Sequence, residues 1–236
     1  MSDKLKNILS KIIIFVLIVI LVLLYSLTIN NNNNIDEERL YDEIAIDYTK
    51  LNIFYFYVGQ ADCTLVQLGD ENMLIDTGNE EDAEYILKFL KEKNITHIKY
   101  LVGTHIHEDH IGGMDLIIGD EDITIDNIFM PKTEYGINSE YDEVKDIAEK
   151  RSYNINTVNK DDIKEFSDAK IKVLYVDNDY PNDLNNSSIV LQLDYMETKY
   201  LFMGDSTFKV ENSIKNLESV NVLKVSHHAS NGSTSE

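Results

Sequence analysis

Residues 104–113 read THIHEDHIGG, and this stretch constrains the fold and the chemistry more tightly than any other. It holds half of the six histidines in the chain. Imidazole and carboxylate groups are the ligands that borderline divalent metals such as zinc prefer. A polar surface loop is the alternative, but it does not explain so close a spacing of ligand-type residues. The stretch therefore predicts a metal site built from His105, His107, Asp109 and His110.

The same arrangement, an apolar segment that stops at ligand-type residues, occurs three times. Residues 100–104 read as a buried strand that leads into the motif. Two later apolar segments stop at Asp205 and at the pair His227 and His228. Three strand ends that meet at one rim would hold two metal ions, and Asp205 would bridge them because a carboxylate has two oxygens to share.

Asp76 is a candidate supporting residue for this site. It follows the apolar residues 73–75. A carboxylate there would accept the remaining ring N–H of a ligand histidine and fix its tautomer. The alternative role is to cap the turn and the helix that follow.

The N-terminus carries a membrane-anchor pattern. Residues 12–29 have no charge, and as a helix they would span roughly the hydrocarbon core of a bilayer. Three lysines precede them and no basic residue follows before Arg39, which predicts a cytoplasmic tail at 1–11. A cleaved signal peptide is the alternative, but its apolar core is usually only ~7–15 residues long. We therefore predict a single-pass anchor in the cell membrane, with the remainder of the chain on the extracytoplasmic side.

Composition indicates the domain organisation, the disulfide content and the charge of the rest of the chain. Residues 30–50 are polar and typical of a linker, and residues 51–236 are long enough for one sizeable core. Cys63 is the only cysteine, so no intramolecular disulfide can form. The net charge of −21 repels nucleic-acid phosphates at long range, which argues against tight, general DNA binding.

Strand patterns alternate with helical patterns throughout residues 51–236, which suggests two sheets with helices packed outside them. We predict helices at 80–93, 140–151 and 207–217, and strands at 51–58, 63–68, 72–76, 98–102, 123–130, 170–176, 188–195, 199–203 and 220–225.

Taken together, these motifs resemble those of the metallo-β-lactamase superfamily, in the same order along the chain. The matching segments are VGQAD (58–62), LIDTG (74–78), THIHEDH (104–110), FMGD (202–205) and KVSHHAS (224–230). The Gly-Gln-x-Asp turn and the His-His-x-Ser ending look like the branch that contains the hydrolase domain of ComEC-type DNA-uptake proteins, and residues 185–191 resemble a further segment of that branch.

The resemblance implies an α/β fold, an αββα sandwich, with two divalent metal ions at the sheet edges. Zinc suits the histidine-rich ligand set, with manganese and iron as alternatives. The resemblance also implies a role for each residue, although it leaves open which of the two neighbouring histidines is the ligand. His105 and His107 would bind one ion, and Asp109, His110 and His227 would bind the other, with Asp205 bridging the two. His228 would contact the substrate phosphate or donate a proton. The catalytic candidates are His228 and Asp109.

The chain departs from the family pattern at several points. Ala61 and Ala229 stand where the branch usually has glycine. No histidine lies between His110 and Asp205, although many members place a further ligand there. Family domains usually continue beyond the His-His-x-Ser ending, so we expect the C-terminal part of the fold to be missing from this sequence.

The leading hypothesis is a membrane-anchored, metal-dependent hydrolase that cleaves a phosphodiester with a metal-bound hydroxide. Its substrate would be nucleic acid or a phosphodiester of the cell envelope. The alternative is a non-catalytic or degenerate membrane-tethered metal-binding domain. The oligomeric state stays open.

Overall fold

The computed structural model describes residues 16–26, 44–134, 136–179, 183–215 and 217–235. The chain forms two units, Met1–Ala45 and Ile46–Glu236. In the first, helix α1 is described over residues 16–26, and its apolar side chains are exposed. No helix within the described ranges combines the length and the hydropathy needed to cross a membrane. Both ends of the predicted span 12–29, the whole tail 1–11 and most of the linker lie outside the described residues.

The second unit contains two sheets, and the first has six strands. Its first three strands are antiparallel neighbours, and the pairs β3–β4, β4–β5 and β5–β6 are parallel. Sequence order and spatial order coincide. The strands are β1 (Asn52–Tyr55), β2 (Thr64–Leu68), β3 (Glu71–Ile75), β4 (His97–Val102), β5 (Thr124–Phe129) and β6 (Ile155–Asn156).

The second sheet has five strands in the order β11-β10-β9-β8-β7. Only the β10–β11 pair is parallel. The strands are β7 (Ile163–Phe166), β8 (Ala169–Tyr175), β9 (Val190–Tyr195), β10 (Thr198–Phe202) and β11 (Val222–Lys224). The described residues of this unit also form five α-helices: α2 (Ala83–Glu92), α3 (Glu108–Ile111), α4 (Met114–Gly119), α5 (Ser139–Lys150) and α6 (Phe208–Glu211).

The two sheets pack face to face through one apolar core. Met73 and Tyr100 of the first sheet pack in the same buried cluster as Phe166 and Phe202 of the second. The Tyr100 hydroxyl also donates a hydrogen bond of 3.0 Å to the Glu165 carbonyl, across the two sheets. Helix α2 covers the outer face of the first sheet, and α6 packs on the outer face of the second through Val210. This architecture confirms the predicted αββα sandwich.

The predicted helix at 207–217 is wrong in length, because α6 ends at Glu211. The next two side chains bond back to the main chain. The Asn212 amide donates to the Phe208 carbonyl at 2.7 Å, and the Ser213 hydroxyl donates to the Val210 carbonyl at 2.6 Å. Asparagine and serine compete in this way with the backbone bonds of a helix, which explains the early end.

Gly112, at the end of α3, is required by close packing rather than by a left-handed turn. Its φ is −58°, but a Cβ there would lie 2.5 Å from the Glu108 carbonyl oxygen and 2.8 Å from the Glu80 nitrogen. Both neighbours are main-chain atoms, so neither can move away by changing a rotamer.

We expect Gly112→Ala to lower the free energy of unfolding by about 1–3 kcal/mol, the usual range for overpacking. Urea denaturation of the full chain measures this change. Gly119→Ala is the matched control, because its new Cβ would meet only Ile147 side-chain carbons, at 3.5 and 3.6 Å. Equal stability of the two variants would contradict the close-packing role.

Candidate metal centre

Four strands deliver the candidate ligands to one edge of the sandwich. β3 and β4 are parallel, as are β10 and β11, so the carboxyl ends of each pair point the same way. The segments that follow these four strands carry the polar side chains of the site: Asp76 after β3, residues 104–110 after β4, Asp205 after β10, and His227 and His228 after β11.

Four of these side chains form a tight cluster. One ligand-type atom from each of Asp109, His110, Asp205 and His228 lies within 4.8 Å of the others. His110 Nε2 is 3.1 Å from Asp205 Oδ1. His228 Nε2 is 3.2 Å from Asp109 Oδ2 and 3.5 Å from Asp205 Oδ2. Two imidazoles and two carboxylates therefore converge on one point, as a divalent ion requires.

Several buried atoms of the cluster lack a hydrogen-bond partner within the described part of the chain, as expected of atoms that bind a metal ion. His110 Nε2, Asp205 Oδ1 and His228 Nε2 are buried and have no hydrogen-bond partner among the described residues. Buried polar atoms in folded proteins are nearly always paired, and a site for a metal ion is a recognised reason for an exception. All three orphaned atoms are of the kind that binds zinc or manganese.

His105 and His107 lie beside this cluster and form a second, less complete group. His105 Nε2 is 2.9 Å from His107 Nδ1 and 4.0 Å from Asp205 Oδ2. Their ring centroids are 4.6 Å apart. The structure thus brings all four candidate ligands of the 105–110 motif to the same rim, with Asp205 between the two groups.

The two neighbouring histidines after β11 lie in different surroundings. His228 is part of the four-residue cluster, whereas His227 Nε2 is 3.7 Å from Asp205 Oδ2 and its side chain is 34% exposed. The sequence-based hypothesis gave the ligand role to His227 and the substrate role to His228. In the structure, His228 rather than His227 lies in the cluster with Asp109, His110 and Asp205.

Asp76 occupies the supporting position that its sequence context suggests. Its carboxylate accepts hydrogen bonds from the Thr104 backbone N–H at 2.8 Å and from the Thr104 hydroxyl at 2.9 Å. His110 Nδ1 lies 2.8 Å from the same carboxylate. With Nδ1 bound there, Nε2 of His110 is directed at Asp205, which is the arrangement of a ligand histidine held by a carboxylate.

Charge coupling within the cluster shifts the pKa values of its members. Burial would lower the pKa of His110, but Asp76 and Asp205 outweigh it and raise that pKa to about 10. Asp109 and Asp205 raise the pKa of His228 to about 9. Burial raises the pKa of Asp205, but the facing imidazoles of His110 and His228 hold it well below its usual range. Without metal, both histidines carry protons at neutral pH, and a divalent cation would take the place of that positive charge.

This coupling predicts how the stability of the metal-free chain depends on pH. The folded pKa values of His110 and His228 lie above the ordinary 6.5, so their stabilising contribution is complete below pH 6.5 and is lost as the pH rises through about 9 to 10. We expect the Tm of the chelator-treated chain to fall between pH 6.5 and 10, and to fall less with zinc added. Circular dichroism melts measure both. A Tm that rises over this window would contradict the assignment.

Two residues of the site were missed by the sequence reasoning. Asp62 and Lys224 are largely buried beneath the cluster, and Lys224 Nζ donates a hydrogen bond to Asp62 Oδ2. Both residues belong to motifs quoted above, but only as markers of resemblance. The signal that would have drawn attention to them is a charged residue at the end of an otherwise apolar segment, next to ligand-type residues.

An open cleft gives access to the cluster. It has a volume of about 570 Å³ and is lined by Gly59, Gln60, His227, His228 and Ser230. Of the metal-site histidines, only the pair after β11 lines this cleft. A substrate would therefore approach the site from the side of these two residues.

Known proteins are similar to this chain in sequence and in fold. The family model described as "Metallo-beta-lactamase superfamily" matches residues 56–236. ComE operon protein 3 of Bacillus subtilis (strain 168) is 30% identical over 156 residues, which are 64% of this chain and 20% of that protein. The chain thus spans about a fifth of the length of that curated relative.

Solved structures agree on the fold. MEM-A1, a subclass B3 metallo-β-lactamase isolated from a soil metagenome library, superimposes with a TM-score of 0.51 at 12% identity, covering 75% of this chain and 76% of its own. Metallo-β-lactamase SMB-1 bound to 2-mercaptoethanesulfonate gives a TM-score of 0.50 at 13% identity, covering 78% and 82%. Together with the family match over residues 56–236, this fold shows that the chain belongs to the metallo-β-lactamase superfamily.

Proposed function

We propose that this protein is a metal-dependent phosphodiesterase with a dinuclear centre. The observation that carries the proposal is the cluster of Asp109, His110, Asp205 and His228, with its orphaned ligand atoms and an open cleft beside it. Members of the superfamily are generally metal-dependent hydrolases. Two adjacent metal ions suit in-line displacement at phosphorus, because they stabilise both the attacking and the leaving oxygen.

Each candidate ligand has a proposed role at the metal centre. His105 and His107 would hold one ion, and Asp109, His110 and His228 the other, with Asp205 between them. When bound, the two ions supply a water of lowered pKa and positive charge for the phosphoryl oxygens. Zinc fits this donor set, and manganese and iron remain alternatives.

His227 takes the substrate role in this proposal. Its side chain is partly exposed and lines the cleft, and it stands beside Asp205 rather than inside the four-residue cluster. From there it would contact a phosphoryl oxygen or donate a proton to the leaving group.

The substrate class follows from charge and from similarity. The similarity to ComE operon protein 3 supports nucleic acid, whereas the net charge of −21 disfavours a long polyanion. A small phosphodiester satisfies both the site and the charge, as does a phosphodiester of the cell envelope that is not part of a long polyanion.

We also propose that residues 12–29 anchor the chain in the cell membrane, with the hydrolase domain on the extracytoplasmic side. The uncharged run and the lysines before it support this anchor, as do the exposed apolar side chains at 16–25. Alkaline carbonate extraction of membranes should leave the full chain in the pellet; its quantitative release would contradict the anchor.

Turnover assays with the full chain test the enzymatic proposal. We expect the zinc- or manganese-loaded protein to hydrolyse bis-p-nitrophenyl phosphate faster than the monoester p-nitrophenyl phosphate, and to leave the β-lactam nitrocefin intact. Preferential hydrolysis of the monoester or of nitrocefin would contradict the phosphodiester assignment. Bound metal without any turnover would favour the non-catalytic alternative.

A further inference from the structure

The ion pair between Asp62 and Lys224 joins the two sheets beside the four-residue cluster of candidate ligands. Asp62 follows the turn between β1 and β2, and Lys224 is the last residue of β11. Lys224 Nζ donates a hydrogen bond to Asp62 Oδ2, and the two side chains are only 16% and 11% exposed. A charged pair so far removed from water is weak evidence for stability, so its position calls for another explanation.

Asp62 contacts the segment that carries Asp109 and His110 and the segment that carries His228, the candidate ligands of one ion. Its backbone N–H donates to the Asp109 carbonyl at 3.0 Å. Its Oδ1 lies 3.8 Å from His228 Nδ1, on the side of the ring opposite the cluster. The nitrogen that faces the cluster, Nε2, is the one close to Asp109 and Asp205. A single residue thus adjoins one ligand through its main chain and another through its side chain.

His228 needs such support because its backbone is strained. Three consecutive residues other than glycine, His227, His228 and Ala229, have φ values of 48°, 52° and 61°. Left-handed backbone costs roughly 1–2 kcal/mol for each such residue, and it persists only where the surroundings hold it in place. The side-chain contacts of His228 are part of those surroundings.

We propose that Asp62 and Lys224 form a positioning pair that holds the His228 imidazole with Nε2 towards Asp109 and Asp205. The proposal rests on the metal centre proposed above. The negative charge of Asp62, 3.8 Å from Nδ1, favours the proton on that nitrogen and leaves the Nε2 lone pair free for the ion.

Lys224 completes the arrangement by fixing the carboxylate. Asp62 also lies close to Asp76 and His110: ligand-type atoms of these three residues lie within 4.8 Å of one another. Two carboxylates so close repel each other, and the ammonium group of Lys224, which is bonded to Asp62 Oδ2, offsets that repulsion. Without Lys224, Asp62 would be free to turn away from His228.

Cobalt titration of the full chain tests this role. Co²⁺ reports its ligand geometry through its visible absorption spectrum. We expect Lys224→Met and Asp62→Asn to weaken binding of the Co²⁺ ion assigned to Asp109, His110 and His228 by about 10- to 100-fold, the usual effect of removing a group that orients a ligand, and to change its spectrum. Lys224→Arg keeps the positive charge and should restore most of the affinity.

Lys99→Met is the matched control for a merely structural ion pair. Lys99 and Glu71 form a partly buried pair on the first sheet, with side chains 21% and 29% exposed, and neither belongs to the cluster. We expect Lys99→Met to leave the Co²⁺ spectrum and both affinities unchanged, whatever its effect on Tm.

The possible results separate the two proposals. If the unmodified chain binds no Co²⁺, the metal centre itself is refuted and the positioning role with it. If the unmodified chain binds two equivalents and Lys224→Met binds them equally well with the same spectrum, only the positioning role is refuted.

Discussion

Replacing Asp205 with alanine should reduce bis-p-nitrophenyl phosphate turnover by roughly 1,000-fold or more. A single electrostatic group at a transition state is commonly worth about 100- to 1,000-fold, and Asp205 also lies close to both groups of candidate ligands. Its carboxylate is 2% exposed, is 3.1 Å from His110 and lies within 4.0 Å of three further histidines. The remaining imidazoles would face one another without a negative charge between them, so metal retention should fall together with turnover.

Two further variants make this result specific. Asp205→Asn preserves the shape of the side chain without its charge, and it should lose turnover nearly as completely. Asp194→Ala is the control. Asp194 lies on the neighbouring strand β9, and its side chain is 40% exposed and pairs with Lys199. The Asp194→Ala variant should retain normal activity. An Asp205→Ala chain that keeps both ions and its activity would refute the bridging role.

Replacing Asp76 with alanine should have the largest effect on stability. The change removes the acceptor of the Thr104 N–H and hydroxyl groups, and it leaves the buried His110 without the carboxylate at its Nδ1. Removing one partner of a buried charged pair typically costs about 3–5 kcal/mol. Asp76 also has a φ of 58°, a conformation that aspartate tolerates better than alanine does. We therefore expect a loss of about 3–5 kcal/mol in the free energy of unfolding, measured by urea denaturation.

A surface pair of the same chemistry provides the control. Asp126 lies 2.9 Å from His97 Nε2, but the two side chains are 52% and 43% exposed. Asp126→Ala should cost no more than about 1 kcal/mol, because exposed ion pairs contribute little. If Asp76→Ala proved as mild as Asp126→Ala, the buried network around His110 would not stabilise the fold as described.

The sequence was sufficient to predict the sandwich and the rim because these depend on local patterns. Each of the strands β3, β4 and β10 ends in apolar residues and is followed within three positions by a ligand-type residue, so the strand end and the candidate ligand could be located together. The 105–110 ligands are close in sequence, and their grouping follows from the short loop and the turn of helix α3 that carry them. The length of α6 was mispredicted because backbone-directed side-chain bonds, rather than periodicity, end it.

Other features of the site depend on contacts that no local pattern contains. Asp62 and Lys224 are 162 residues apart and meet only because the sandwich brings the end of β11 next to the turn after β1. The different positions of His227 and His228 arise from three successive left-handed residues, which periodicity does not predict where glycine is absent. The proximity of Asp76 to His110 follows from two neighbouring strand ends, whereas the different positions of the two adjacent histidines do not follow from any local pattern.

The metal content of the purified full chain tests the central claim most directly. After removal of metal with a chelator, reconstitution with zinc or manganese and exhaustive dialysis, inductively coupled plasma mass spectrometry gives the ions retained per chain. The geometry of Asp109, His110, Asp205 and His228, with His105 and His107 beside them, predicts two ions per chain. Retention of no metal by the folded, unmodified protein would contradict the assignment of this cluster as a metal centre.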